Sequence, residues 1–483
     1  MPVCMVATVW TQIIDLCKKN NMELINHKPD FAEVFSDKRL DKRANQIVSM
    51  LLQSRSSAIQ GIAEDEASQK GFYRFLENEK VTEQCLIEEM QKRCGKNVEG
   101  RDVLVIQDTS SVGLSDHRNR LKPSSGVGFV GNKEGLGFLV HAALVLDADK
   151  ETMLGFSSVK LWHRQHDKAN NTTRIYKQQP IEEKESYKWI EISKQSKEAL
   201  SSAKSITIVE DREGDIYEQY CVVPDVKTHL VIRNRDNRRL TNGKYLHNFL
   251  QEQPVAGTYE IEIEKDTRKD RVKRTATLEV RYAKVIIKKP ASVKDKKCPA
   301  ELTLYVVEAK EINGPKNGSI KWRLLTTHCV ENLEDAFRII HIYQQRWYIE
   351  QVFRLLKKKG FAIESSELTT GWGIRKLTLL LLNNILRIMQ MLMAYGNEEA
   401  QETKEVFSED EIECLKQVGS DLSMTHRFDP SKLSWASDII ARLGGWKGNP
   451  KQRPPGPITL KRGLEKFGWI FRGWSIAKDV SIR

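Results

Sequence analysis

Short runs of β-forming residues occur along this chain in an order that few architectures can accommodate. Residues 103–106, 138–146 and 153–161 read as strands, residues 183–203 as a helix, and residues 206–209 as a further strand. The runs are almost wholly apolar, as expected where both faces of a sheet are covered. Just beyond two of them stands an aspartate: Asp108 in VLVIQDTSS and Asp211 in ITIVEDREGD. Strand ends are where α/β sheets present side chains to ligands.

Three strands, a helix and another strand is the opening order of an α/β, ribonuclease-H-like catalytic core. Further strands are expected at residues 259–264, where YEIEIE alternates without a fault, and at 277–288 and 302–307. They follow the second aspartate and read as an inserted antiparallel β subdomain over about residues 235–330 of the sequence. Their basic turns, at residues 266–274 and 294–297, read as solvated hairpin tips, with DNA contact as the other option.

Before this core, residues 37–55 carry Leu40, Ala44, Ile47 and Leu51 at helical spacing, with Asp37 as N-cap and Lys38, Arg39, Lys42 and Arg43 off the apolar stripe. A second helix is expected at residues 66–76. The basic side suits DNA, and it suits a solvated helix surface equally. After residue 396 the chain turns acidic, then Pro- and Gly-rich in GWKGNPKQRPPGP, with helical segments SWASDIIARLGG and KFGWIFRGW. Three units result: helical 1–80, catalytic 81–395 and helical 396–483.

A chain of 483 residues is too long for one small core, consistent with that division. Its 77 basic against 65 acidic residues give a net charge of +12, which favours a polyanionic partner. The eight cysteines are scattered without a Cys-x-x-Cys pair, the pattern of reduced cytoplasmic thiols rather than of a disulfide framework or zinc site. The first 20 residues read as a short amphipathic helix, not an export signal. Residues 377–395 contain Asn383, Asn384, Arg387 and Gln390 and read as a buried helix rather than a membrane span.

The chemistry gathers at HIYQQRWYIEQVFRLLKKKG. At about 100° per residue, Tyr343, Arg346, Glu350 and Lys357 fall within about a 60° arc of one helix face. Ile342, Ile349, Val352, Phe353 and Leu356 supply the packing face. A carboxylate aligned with a phenol and two cations is a poor core stripe, but it suits a metal ligand flanked by phosphate-holding groups. If Asp108 and Asp211 stand on adjacent strands and this helix crosses the sheet, three carboxylates converge. Such acids repel unless cations lie between them, and oxygen-only ligands favour Mg²⁺ or Mn²⁺. Each aspartate taken alone reads as a turn or cap residue; only together with the Tyr343, Arg346, Glu350, Lys357 stripe do they point to a metal site.

At these residues the chain resembles the bacterial cut-and-paste DDE transposases with the Tyr-(2)-Arg-(3)-Glu-(6)-Lys signature, of the Tn-five kind. The resemblance rests on QDTSS, KESYKW, EDREGDIY, KWRLLTT and IYQQRWYIEQVF, with DKRLDKRANQIVSML and GFYRFL before them and ARLGGW after. It implies that Asp108, Asp211 and Glu350 bind two Mg²⁺ or Mn²⁺ ions, and that Tyr343, Arg346 and Lys357 grip phosphates. The run Lys357, Lys358, Lys359 leaves the signature lysine open to reassignment, and the following FAIESSELTTGW departs from the family pattern. The resemblance further implies nicking of the transposon end, closure as a hairpin and joining to target DNA. Trp322 then matches an aromatic that receives an extruded base, with a buried core tryptophan as the competing account. Arg212 and Arg233 fall close to DNA, or act as surface ion-pair partners. The basic N-terminal helices become terminal-repeat readers, and the C-terminal unit a homodimerisation element. A branched-nucleic-acid nuclease and a non-catalytic DNA-binding inhibitor are the rival readings, and three crowded acids argue against the second.

Overall fold

The structure is a computed structural model that describes residues 29, 31–52, 57–63, 65–117, 119–121, 124–130, 135–164, 179–263, 273–315, 318–357, 360–397, 401–422, 428–449 and 452–481. The helix expected at residues 1–20, most of the basic turn at 266–274, and Lys358 and Lys359 lie outside the described residues.

Strands β1 Asp102–Gly113, β2 Gly128–Val130, β3 Gly135–Asp147 and β4 Met153–Trp162 come first, and helix Tyr187–Ala199 follows. Then come β5 Ser205–Glu210, β6 Thr228–Arg233, β7 Gly257–Ile263, β8 Arg274–Lys288, β9 Glu301–Glu311 and β10 Lys321–Thr326. Among the described residues these make one sheet of order β2-β3-β1-β5-β6-β10-β9-β8-β7, with β4 also on β3. β3 runs antiparallel to β1, and β5 and β6 run parallel to it in sequence, the arrangement expected of a ribonuclease-H-like core.

Both faces of the central strands are covered, which explains their apolar runs. Leu104 and Ile106 of β1 point into one core, Val103 and Val105 into the other, which the helix Tyr187–Ala199 closes with Trp189, Ile190 and Ile192. The strands expected after residue 235 are present and antiparallel. They do not stand apart, however: β10 pairs with β6, Leu324 opposite Arg233, so β7–β10 extend the core sheet. Alternation marks a half-covered strand but carries no information about which neighbour it joins.

The helices, numbered along the described chain, are α1 Lys38–Leu52, α2 Ile59–Ile62, α3 Glu66–Glu77, α4 Glu83–Asn97, α5 Tyr187–Ala199, α6 Tyr217–Val222, α7 Leu246–Gln251, α8 Leu333–Gln344, α9 Trp347–Leu356 and α10 Gly371–Ala394. α11 Thr403–Val406, α12 Glu409–Asp421, α13 Leu433–Leu443 and α14 Pro457–Ser481 complete them. Side-chain caps begin several: Asp65 accepts from Ser68 N, Thr82 from Cys85 N and Asn332 from Asp335 N, each satisfying an amide that the helix leaves open. Ser408 and Glu411 form a reciprocal capping box at α12.

α10 is the central post, packing against α1, α3, α4, β4, α13 and α14. It is long and apolar enough to cross a membrane, yet 89% of its most apolar window is buried inside the protein. Its polar residues are used there: Asn384 donates to Val48 O at 2.9 Å, Gln390 to Met153 O at 3.1 Å, and Arg387 pairs with Glu411 at 2.9 Å. The three units read from the sequence thus share one apolar core around this helix. α4, which begins just beyond residue 80, packs on β4 as well as on α10. Ser57 ties the N-terminal helices to the loop after α9, its N–H donating to Phe361 O at 2.8 Å and its hydroxyl to Ala362 O at 3.2 Å.

Candidate active site

The register of β1 and β5 decides where the two aspartates stand. Ile106 is opposite Val209, so two residues further along each strand Asp108 and Asp211 come level on neighbouring strands. Strand alternation places both on the face that carries Ile106 and Val209, the face on which α9 packs. Each carboxylate is held by the next residue: Asp108 Oδ1 accepts from Thr109 N at 2.8 Å, and Asp211 Oδ1 from Arg212 N at 2.7 Å.

The third carboxylate arrives differently from the sequence expectation. The signature residues do not share one helix: α8 ends at Gln344, Arg346 caps α9, and Lys357 lies beyond its last turn as C-cap. The chain turns between the helices through the bonds Gln345 N to Ile342 O and Arg346 N to Tyr343 O. The break aims Arg346 at the acids. Its Nη1 donates to Asp108 Oδ2 at 2.8 Å, and its Nη2 pairs with Glu350, which is in the first turn of α9 and half exposed.

The electrostatics bind the four groups into one cluster. Burial pushes Asp108 up to about 6; Arg346 and the Thr109 N–H oppose this, and the negative charges of Asp211 and Glu350 add to it. Burial alone would lower Arg346, but Tyr343, Asp108, Asp211 and Glu350 hold its pKa above the usual guanidinium range. The guanidinium thus occupies the gap between acids that otherwise repel. Among the described residues no three His, Cys, Asp or Glu side chains are already gathered as a metal-ligand set. The donor set, all carboxylate oxygen around a place that demands positive charge, fits a hard divalent cation once Arg346 turns aside.

Tyr343 is buried, with its hydroxyl beside Arg233 but without a well-formed hydrogen bond. Burial and the charge of Asp211 push the phenol up, so it stays a neutral donor. Trp322 is half-buried, its ring edge-on to Tyr343 at 5.5 Å, which puts it at the site's wall. Arg233 donates to Lys321 O at 3.2 Å, and Arg212 is exposed. Lys357 stands apart from the acids: burial lowers its pKa, with Glu364 as the opposing charge. On α1, Lys38 and Lys42 are exposed, Arg39 is paired with Asp37 at 2.8 Å, and Arg43 lies over the Phe72 ring at 5.6 Å. Asp37 precedes the helix as expected and accepts from Arg39 N. A separate cleft of about 1470 Å³, between α4, β4 and α5, contains none of these residues.

Sequence reasoning overlooked a set of polar residues behind the acids: Gln107, His141, Ser193, Glu210 and Gln219, all fully buried. The available signal was local, since Gln107 and Glu210 immediately precede the two aspartates in runs that are otherwise apolar. Also overlooked was Asp215, buried at the end of the turn after Asp211 and paired with Arg238.

Two family models match parts of the chain. Residues 31–81 match the family described as Transposase DNA-binding, which covers the basic face of α1. Residues 155–385 match the family described as Transposase DDE domain, a span that contains Asp211, Trp322, Tyr343, Arg346, Glu350 and Lys357 and begins after Asp108. Among solved structures, a piggyBac transposase synaptic complex with hairpin DNA matches at 10% identity and a TM-score of 0.35, over 86% of this chain. The chain spans 62% of that protein's length, and the likeness is too loose to assign residues or reaction steps. The chain is therefore similar to a transposase DNA-binding domain over residues 31–81 and to a transposase DDE domain over residues 155–385.

Proposed function

We propose that this protein is a DDE transposase that binds the ends of its own element, pairs them as a homodimer, excises the element through a DNA hairpin and joins it to target DNA. The observation that carries the reading is the Asp108, Asp211, Glu350 and Arg346 cluster where the β1–β5 pairing stops, in a chain similar to both transposase domains. The Tn-five-type identity rests on the signature residues Tyr343, Arg346, Glu350 and Lys357.

Asp108, Asp211 and Glu350 would hold two Mg²⁺ or Mn²⁺ ions, which supply a polarised attacking oxygen and a stabilised departing one. Arg346 neutralises the acids before DNA arrives and then turns to a phosphate, as a guanidinium can pair with either anion. Tyr343 contributes a neutral hydroxyl beside it. Trp322 offers a ring on which an extruded base stacks. Lys38, Arg39, Lys42 and Arg43, with Arg212 and Arg233, contact the duplex, and residues 396–483 form the dimer contact.

The deciding experiment incubates the protein with DNA flanking its own gene in Mg²⁺ and resolves nicks, hairpins and excised fragment. Hairpins are expected; nicks without hairpins would favour a ribonuclease-H-like nuclease instead. In the same assay Trp322→Ala should depress hairpin closure more than first-strand nicking, whereas equal loss of both would reduce the ring to packing against Tyr343. Lys357→Ala should weaken end binding and lower the log-log salt slope by about 0.9 for the lost phosphate contact. An unchanged slope would place that lysine off the DNA.

A further inference from the structure

Behind the aspartates, on the α5 side of the sheet, the strand interior changes character. Val103 and Val105 of β1 and Ile206 and Ile208 of β5 face α5 with aliphatic side chains. One step further, Gln107 and Glu210 come level with each other, as the register continued from Ile106 opposite Val209 requires. Both are fully buried, as are His141 of β3, Ser193 of α5 and Gln219 of α6.

Their hydrogen bonds run in one direction. Thr109 Oγ1 donates to His141 Nδ1 at 2.8 Å, and His141 Nε2 donates to Gln107 Oε1 at 3.0 Å. Gln107 Nε2 donates to Ser193 Oγ at 2.9 Å, and Ser193 Oγ donates to Glu210 Oε1 at 3.3 Å. Gln219 Nε2 reinforces the link, donating to Ser193 Oγ at 3.0 Å and to Glu210 Oε1 at 2.6 Å. Ser193 thereby uses its one proton and both lone pairs. The ring of Trp189 fixes His141 edge-on at 4.6 Å. Gly214 leaves room for Glu210: a Cβ there would fall 2.1 Å from Glu210 Oε2.

We infer that Gln107, His141, Ser193 and Gln219 are positioning residues that fix the relative placement of the carboxylates Asp108 and Asp211, just past the last β1–β5 pair, for metal ligation. The inference rests on the metal-site reading above. The chain of bonds starts at Thr109, whose N–H holds Asp108, and ends at Glu210, the residue before Asp211. It crosses from β1 to β5 through α5 just behind the point where the β1–β5 pairing stops and two like charges push the strands apart. Aliphatic side chains would fill this space at lower desolvation cost, as they do one step earlier, and Glu210 Oε2 and Gln219 Oε1 remain without partners here, but packing alone tolerates small slips that a directional chain of hydrogen bonds does not. Partners behind metal ligands are typically worth about 10- to 100-fold in metal affinity.

The test titrates full-length protein bound to its element's end DNA with Mn²⁺, following free Mn²⁺ by electron paramagnetic resonance against the same DNA alone, with the melting temperature of the protein recorded beside it. Gln107→Met and Ser193→Ala should each weaken Mn²⁺ binding about 10-fold. Val105→Ala, on the same face one step earlier, should lower the melting temperature and leave Mn²⁺ affinity unchanged. Ser193→Ala removes a single oxygen and serves if Gln107→Met does not fold. Wild-type Mn²⁺ affinity in Gln107→Met or Ser193→Ala, or an equal loss in Val105→Ala, would overturn the inference while the metal site stands. Asp108→Asn and Asp211→Asn should abolish binding; if they titrate like wild type, the metal-site reading fails and this inference with it.

Discussion

Glu350→Gln should abolish cleavage of end DNA while leaving end binding intact or slightly tighter. Glu350 occupies the first turn of α9, half exposed, with Arg346 between it and Asp108. The amide keeps the shape and one acceptor oxygen but removes a charge needed beside a metal ion, so cleavage should fall by about a thousandfold or more, roughly 4 kcal/mol in the barrier. The fold should be unaffected because the side chain is half in solvent and Arg346 keeps Asp108 as a partner. Binding loses a negative charge that faces the phosphates. Gel-shift titration beside a denaturing-gel cleavage assay separates the two effects. Cleavage retained at the wild-type rate would remove Glu350 from the site.

Asp215→Ala should be the most destabilising of the polar substitutions near the site. Asp215 and Arg238 are both almost completely buried and form an ion pair. The same carboxylate accepts from the Asn234 side chain at 3.0 Å, from the N–H groups of Arg235 at 2.8 Å and Asp236 at 3.2 Å, and from Tyr220 Oη at 3.2 Å. It therefore moors the loop after β6 to the turn that begins at Asp211. Removing one partner leaves Arg238 charged and uncompensated, a loss of about 3–5 kcal/mol. Urea unfolding should show the midpoint fall, and Asp215→Ala combined with Arg238→Met should recover part of it, because the pair costs less removed together than broken. A loss below about 1 kcal/mol would mean that water reaches Arg238.

The same residues show how far the sequence carries. The strand runs ending at Ile106 and Val209 were legible because both faces of those strands are apolar, and they put Asp108 and Asp211 just past the last β1–β5 pair. β1, however, continues to Gly113 on β3, so Asp108 lies within that strand and not beyond its end, because the polar residues after Ile106 mask the continuation. The break between α8 and α9 was not legible. Ile342, Ile349, Val352, Phe353 and Leu356 keep helical spacing across it, and neither Pro nor Gly interrupts the segment. The sequence groups Arg346 with the phosphate-holding residues, whereas its guanidinium closes on Asp108 and Glu350. Spacing along a chain reports which side chains share a face and says nothing of which charge fills a gap between elements. The attachment of β7–β10 to β6 was hidden for a related reason, since strand pairing over long separations leaves no local mark. Gln107 and Glu210 were visible as polar interruptions, but only the arrival of Ser193 and Gln219 from two helices makes them a network.

The most direct measurement is Mn²⁺ anomalous diffraction from crystals of the protein bound to its element's end DNA. The expected result is anomalous density bounded by Asp108, Asp211 and Glu350, with Arg346 withdrawn from the acids onto a DNA phosphate. Density elsewhere, or Arg346 still bridging Asp108 and Glu350 while the DNA end lies in place, would contradict the assignment of these three carboxylates as the metal site.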